Sequence, residues 1–144
     1  VAKLVSVATA AEAVGWDWIG FNLDDGGALM AFRLRRADGS AFWAGGSHRD
    51  ASGRVRTFEP TELRFEPQRW WLSPSQARYP VQWSIETPAG AFTVKALMDA
   101  QELDGRLSNG AIYWEGLSDL LDGSGRRVGR GYLEMTGYGK RLAM

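Results

Sequence analysis

The feature that most limits what this chain can become is a turn signal that keeps returning between short aromatic and aliphatic runs. Asp24-Asp25-Gly26-Gly27, Ala37-Asp38-Gly39-Ser40, Asp50 to Gly53, Pro88-Ala89-Gly90 and Asp122-Gly123-Ser124-Gly125 consist largely of turn formers. These residues accept positive φ, pre-set a turn, or bond their own backbone. The runs between them follow a period of two, as where Met30, Phe32 and Leu34 alternate with Ala31, Arg33 and Arg35. The pattern predicts strands over 16–23, 28–36, 41–49, 54–59, 81–87, 92–98, 112–121 and 126–137. Gly45-Gly46 predicts a bulge or bend. Pro60, Pro67, Pro74 and Pro80 exclude a long central strand or helix between them. Leu63 and Phe65 still allow a short strand there, and Trp70-Trp71-Leu72 should bury or cover something. The expected fold is all-β, with about eight or nine antiparallel strands closing into a barrel. The expected core includes Phe21, Phe32, Leu34, Val94 and Leu133.

A chain of 144 residues suits one domain, placed over 15–144. Residues 1–14 read as an N-terminal extension, a linker or a short helix. The chain opens on Val1, as expected of a processed or excised piece. Lys plus Arg and Asp plus Glu both number 17. That balance provides no long-range attraction to nucleic acid or anionic lipid, so no nucleic-acid partner is expected. The absence of cysteine excludes disulfides and thiolate sites, and the lone His48 excludes a multi-histidine metal site. No metal and no cofactor are expected, and no apolar run approaches the roughly 20 residues of a membrane-spanning helix. The compartment stays open between bacterial periplasm and cytoplasm. What stands out is seven Trp, six Phe and four Tyr beside 18 Gly, a mixture of aromatic strands and glycine turns.

Chemistry concentrates in two places. A last hairpin centred on Gly123 and Ser124 would set Glu115 opposite Tyr132, Leu117 opposite Arg130 and Tyr113 opposite Glu134. Tyr113, Glu115, Arg130, Tyr132 and Glu134 then share one face, while Trp114, Leu133 and Met135 share an apolar one. Two carboxylates among phenols can supply a general acid; the same set also reads as a solvated ladder with Arg130 between two Glu. Glycines beside Trp114 suit an indole lying over bare backbone. The second place is Trp16-Asp17-Trp18, where Asp17 is in phase with Ile19 and Phe21. A carboxylate on such a stripe is either paired, with an Arg or backbone N–H, or held protonated. Candidate catalytic residues are therefore Glu115, Glu134 and Asp17. Candidate ligand-binding residues are Trp16, Trp18, Trp83, Tyr113, Trp114, Arg130 and Tyr132. No phosphate loop, nucleophile elbow or metal-ligand spacing is present.

Several blocks carry a resemblance. Gly15-Trp16-Asp17-Trp18-Ile19 is followed by Leu23-Asp24-Asp25-Gly26 and by Leu29 to Arg35. Trp70, Ser73-Pro74 and Ala77-Arg78-Tyr79-Pro80-Val81-Gln82-Trp83 come next. Gln101-Glu102-Leu103, Tyr113-Trp114-Glu115-Gly116 and Gly129 to Tyr138 close the series. In order and spacing they resemble the C-terminal domain of the AttH/carotenoid 1,2-hydratase-like family. The resemblance implies a lipocalin-like β-barrel that packs on a second barrel, with the ligand site largely between the two. It implies a hydrophobic ligand of polyene or lipid type, and alternatively a share in an alkene hydratase or cyclase working by acid catalysis. A third reading is a structural half-domain whose partner is a second lipocalin-like barrel, or a copy of itself through an exposed patch at Trp70 and Trp71.

Overall fold

The computed structural model describes residues 13–139. They form β1 (Gly15–Leu23), β2 (Ala28–Arg35), β3 (Ala41–Arg49), β4 (Val55–Phe58), β5 (Arg64–Leu72), β6 (Arg78–Thr87), β7 (Gly90–Ala96), β8 (Glu102–Gly105), β9 (Ala111–Leu121) and β10 (Arg127–Thr136). A single 3₁₀ turn at Pro60–Glu62 joins β4 to β5. The short helix considered for 1–14 falls outside the described residues but for Ala13 and Val14, which precede β1 without regular structure.

All strands join one antiparallel sheet in the order β4-β3-β2-β1-β10-β9-β7-β6-β5, and β8 pairs with the opening half of β9. The first and last strands are thus neighbours. β4 and β5 stand at opposite ends of that order and are not hydrogen-bonded to each other, yet only residues 59–63 connect them. Eight inter-strand steps of about 4.8 Å would set them about 38 Å apart in a flat sheet. Six residue steps of chain reach only about 21 Å. The sheet must therefore curl until its ends approach, giving a lipocalin-like barrel with a seam between β4 and β5. Contacts across the interior agree, since the Arg33 guanidinium of β2 lies 5.0 Å from the Trp83 ring on β6 and 5.6 Å from Phe65 on β5.

The concave side is filled. Ile19, Phe21, Tyr79, Val81, Trp83, Ile85, Val94, Trp114, Leu120, Leu133 and Met135 form one buried cluster. Burial of each large apolar side chain contributes about 1.5–3 kcal/mol. Trp114 lies over Gly116, where a Cβ would fall inside the indole, as the glycine pattern predicts.

Four expectations need correction. Phe32 and Leu34 are not core. Strand β2 buries Leu29, Ala31, Arg33 and Arg35 and turns Met30, Phe32 and Leu34 to the convex face. The cause is electrostatic: Asp17 pairs in register with Arg33 and points inward with Ile19 and Phe21. A buried carboxylate needs its cations on the same side. The last hairpin is also shifted by two residues. Glu134 faces Glu115, Tyr132 faces Leu117 and Arg130 faces Asp119, with an irregularity between Arg127 and Gly129. A slip of two preserves which residues share a face, so the predicted faces stand while the pairs change. Likewise the irregularity between β2 and β3 falls opposite Phe42, not at Gly45-Gly46. Those glycines make room instead for the Phe32 ring and the Met30 carbonyl. Strand β5 is longer than expected and contains Pro67, but it is an edge strand broken by two register shifts, where a missing N–H is tolerated.

Three turns are locked alike. Asp38, Asp50 and Asp122 each accept hydrogen bonds from the backbone N–H and hydroxyl of the serine two residues on. Those donors hold all three carboxyls below the usual aspartate value.

Candidate functional site

The curled sheet divides the candidate residues between its two faces. Trp16, Trp18, Tyr113, Glu115, Arg130, Tyr132 and Glu134 lie on the convex face, contributed by the adjoining strands β1, β10 and β9. Asp17, Trp83 and Trp114 lie inside, fully buried. No single site contains both sets.

On the convex face one row runs Phe32, Trp18, Glu134, Glu115 across four strands, and the next runs Met30, Gly20, Tyr132, Leu117. Gly20 is bare because the Trp18 ring occupies the space over it. Glu134 accepts a 2.7 Å hydrogen bond from the Trp16 indole Nε1, which fixes the carboxylate and the ring together. Glu115 is exposed. Arg130 gives its Nε hydrogen to Asp119 at 2.8 Å, so the ladder with Arg130 between two Glu is not formed. A cleft of about 460 Å³ opens here, lined by side chains including Trp18, Met30, Leu117, Arg130 and Tyr132, within the size range of small-molecule sites. Met30 and Leu117 were not among the sequence-derived candidates. Leu117 is in phase with Tyr113 and Glu115, a usable signal; Met30 shares the inverted face of β2.

Inside the barrel, Asp17 Oδ2 accepts from Arg33 Nε at 2.8 Å. Its Oδ1 accepts from Arg35 Nη1 at 3.0 Å and from the Tyr138 hydroxyl at 2.8 Å. Asp17 is thus the paired carboxylate of the two alternatives. Burial first, and the Asp17 charge second, push the Tyr138 hydroxyl well above the ordinary tyrosine value. Arg35 also bonds the Thr136 carbonyl and stacks on Tyr138 at 3.9 Å. Trp114 donates to the Asp99 carbonyl at 2.7 Å, whereas the buried Trp83 indole N–H has no hydrogen-bond partner among the described residues. A second cleft, of about 530 Å³, opens at the barrel end between Leu23, His48, Phe92 and Val128, rimmed by Arg126 and Arg127. Trp70 is exposed, but Trp71 stacks on Tyr79 with the core. Among the described residues no cluster of three or more His, Cys, Asp or Glu is arranged to hold a metal ion, and no helix is long and apolar enough to cross a membrane.

A family model described as AttH-like matches residues 4–138. The chain belongs to the AttH-like family. A crystal structure of a protein assigned as AttH from Nitrosomonas europaea superposes with a TM-score of 0.84 at 50% identity. It is matched over 88% of this chain and 40% of its own. Kievitone hydratase from Nectria haematococca superposes with a TM-score of 0.67 at 19% identity, over 89% of this chain and 40% of that one; at that identity the likeness is one of fold. This AttH-like chain therefore spans well under half the length of both structures. No protein of curated function matches it.

Proposed function

We propose that this AttH-like domain binds an apolar, conjugated small molecule on its convex face, in the cleft bounded by Trp18, Met30, Leu117 and Tyr132. The observation that carries the reading is the division between faces. The barrel interior is filled by Trp83, Trp114 and their neighbours, while the convex cleft is open and sets Trp18, Met30, Leu117 and Tyr132 beside the polar Asn22, Ser47, Arg49 and Arg130. Aromatic faces supply large contact area at low conformational cost. Both similar structures extend well beyond the matched part, and in this reading a further domain would complete the site. Retinol or a short carotenoid should quench tryptophan fluorescence saturably. In Trp18→Ala and Tyr132→Ser, affinity followed by the ligand's own emission should fall about tenfold, a loss of about 1.4 kcal/mol. Absence of saturable binding, or binding untouched by both changes, would refute the site.

A second reading is acid-catalysed hydration or cyclisation of an alkene. Its specific support is the pairing of Glu115 with Glu134 beside Trp18, where indole faces would stabilise a developing cation. Glu134→Gln can still accept from Trp16, so shape survives while the acid is removed. Under this reading Glu115→Gln or Glu134→Gln abolishes turnover by the complete protein and leaves ligand affinity nearly intact. Unchanged turnover in both eliminates it.

A further inference from the structure

The convex cleft is divided chemically along its strands. Arg49, Ala28, Asn22 and Arg130 stand in one row across β3, β2, β1 and β10. The next row on that face is Ser47, Met30, Gly20 and Tyr132, continued by Leu117 on β9. The row beyond it holds Phe32, Trp18, Glu134 and Glu115. Rows on one face lie about 7 Å apart, so about 13 Å separates the arginine row from Trp18. Both guanidinium groups that line the cleft are in the first row, and among the described residues no carboxylate lines it. Asp119, at the end of the arginine row, takes the Nε hydrogen of Arg130 at 2.8 Å. The terminal nitrogens of Arg130 and the whole Arg49 guanidinium make no hydrogen bond among the described residues. One carboxylate against two guanidiniums leaves a net positive charge at this end. The opposite end carries Glu134 and Glu115, so an anion is drawn one way along the cleft and repelled the other.

We infer, on the convex-face site proposed above, that its ligand is an amphipathic acid, with its carboxylate between Arg49 and Arg130 and its apolar chain directed at Trp18. The guanidinium fork matches a carboxylate, and the single net charge of the row matches a monoanion. Ala28 leaves room between Arg49 and Asn22, and the Asn22 amide adds a donor. The chain would pass between Met30 and Tyr132 onto the Trp18 ring, which covers Gly20. Both arginines are exposed. Water therefore screens the attraction, which sets the head group and direction of the ligand more than its affinity.

The test titrates parinaric acid, a fluorescent polyene acid, and its uncharged methyl ester into the whole chain at low ionic strength. The acid should bind about fivefold more tightly than the ester, the upper end of what an exposed charge pair contributes. Added salt should shrink that difference. Replacing both arginines, Arg49→Gln with Arg130→Gln, should bring the acid down to the affinity of the ester. Circular dichroism verifies folding; should the double variant fail to fold, Arg49→Glu alone, at an exposed position, should reverse the preference. Tyr132→Ser should weaken acid and ester alike. Equal affinities for acid and ester overturn the inference, and if Tyr132→Ser still weakens both, the cleft itself stands. A preference that survives in the double variant overturns it too, by placing the carboxylate elsewhere. If neither probe binds saturably, the convex-face site falls and its acid ligand with it.

Discussion

At the scale of single residues, Asp17 is the buried carboxylate among the described residues. It is fully buried and takes three hydrogen bonds, two of them from guanidinium groups that share its burial. Asp17→Asn keeps the outline and removes the charge, leaving two buried cations uncompensated. Breaking a buried ion pair by losing one partner costs about 3–5 kcal/mol. Urea unfolding of Asp17→Asn should show a loss of that order with an unchanged slope; a loss near zero would mean that the arginines escape to solvent. The surface pair Arg130–Asp119, with the same 2.8 Å distance, is half-exposed at the arginine and should contribute far less. Similar geometry has different consequences because water screens one pair and not the other.

At the scale of elements, the seam between β1 and β10 joins the two ends of the described chain and depends on close backbone approach. A Cβ on Gly131 would collide with the Gly20 carbonyl and the Phe21 Cα of the adjoining strand. Neither can move without parting the pair. The atoms nearest a Cβ on Gly20 all belong to the Trp18 ring, a side chain with rotamers to use. Gly131→Ala should therefore destabilise by about 1–3 kcal/mol, as overpacking does, and more than Gly20→Ala. Thermal unfolding of the two variants compares them directly; the reverse order would show that the β1–β10 seam yields more easily than an indole turns.

At the scale of the whole molecule, the barrel has apolar surface outside as well as a core inside. Trp43, Leu117 and Tyr132 are exposed on the convex face, with Trp18, Phe32, Leu34 and Met30 half-buried among them. Contiguous apolar patches of this kind mark interaction surfaces. The 144-residue chain should bind a hydrophobic dye and associate as concentration rises, by light scattering. A Trp43→Ser, Leu117→Ser, Tyr132→Ser variant should do both less. A monomer that binds no dye at any concentration would remove the convex face as an interface.

Much of this was legible in the chain itself. Asp and Gly turns and a period of two are local, so strand positions, most hairpins and the two faces of the last hairpin follow from sequence alone. So does the phase of Asp17 with Ile19 and Phe21. Other features needed the assembled barrel. Alternation says that Met30, Phe32 and Leu34 share a face, but it cannot say whether that face is the inner one. A two-sided strand with arginines on one face and large apolar groups on the other resolves only when its neighbour presents Asp17. Pairing in the last hairpin depended on a turn that closes with Leu121 opposite Arg127, one step from the expected register, and on an irregularity between Arg127 and Gly129 that adds the second step. The separation of Trp83 and Trp114 from Trp16 and Trp18 depended on curvature, because residues distant in sequence share a site only after the sheet has closed. Local chemistry determined the strands; burial of charge and closure of the sheet decided which way they face.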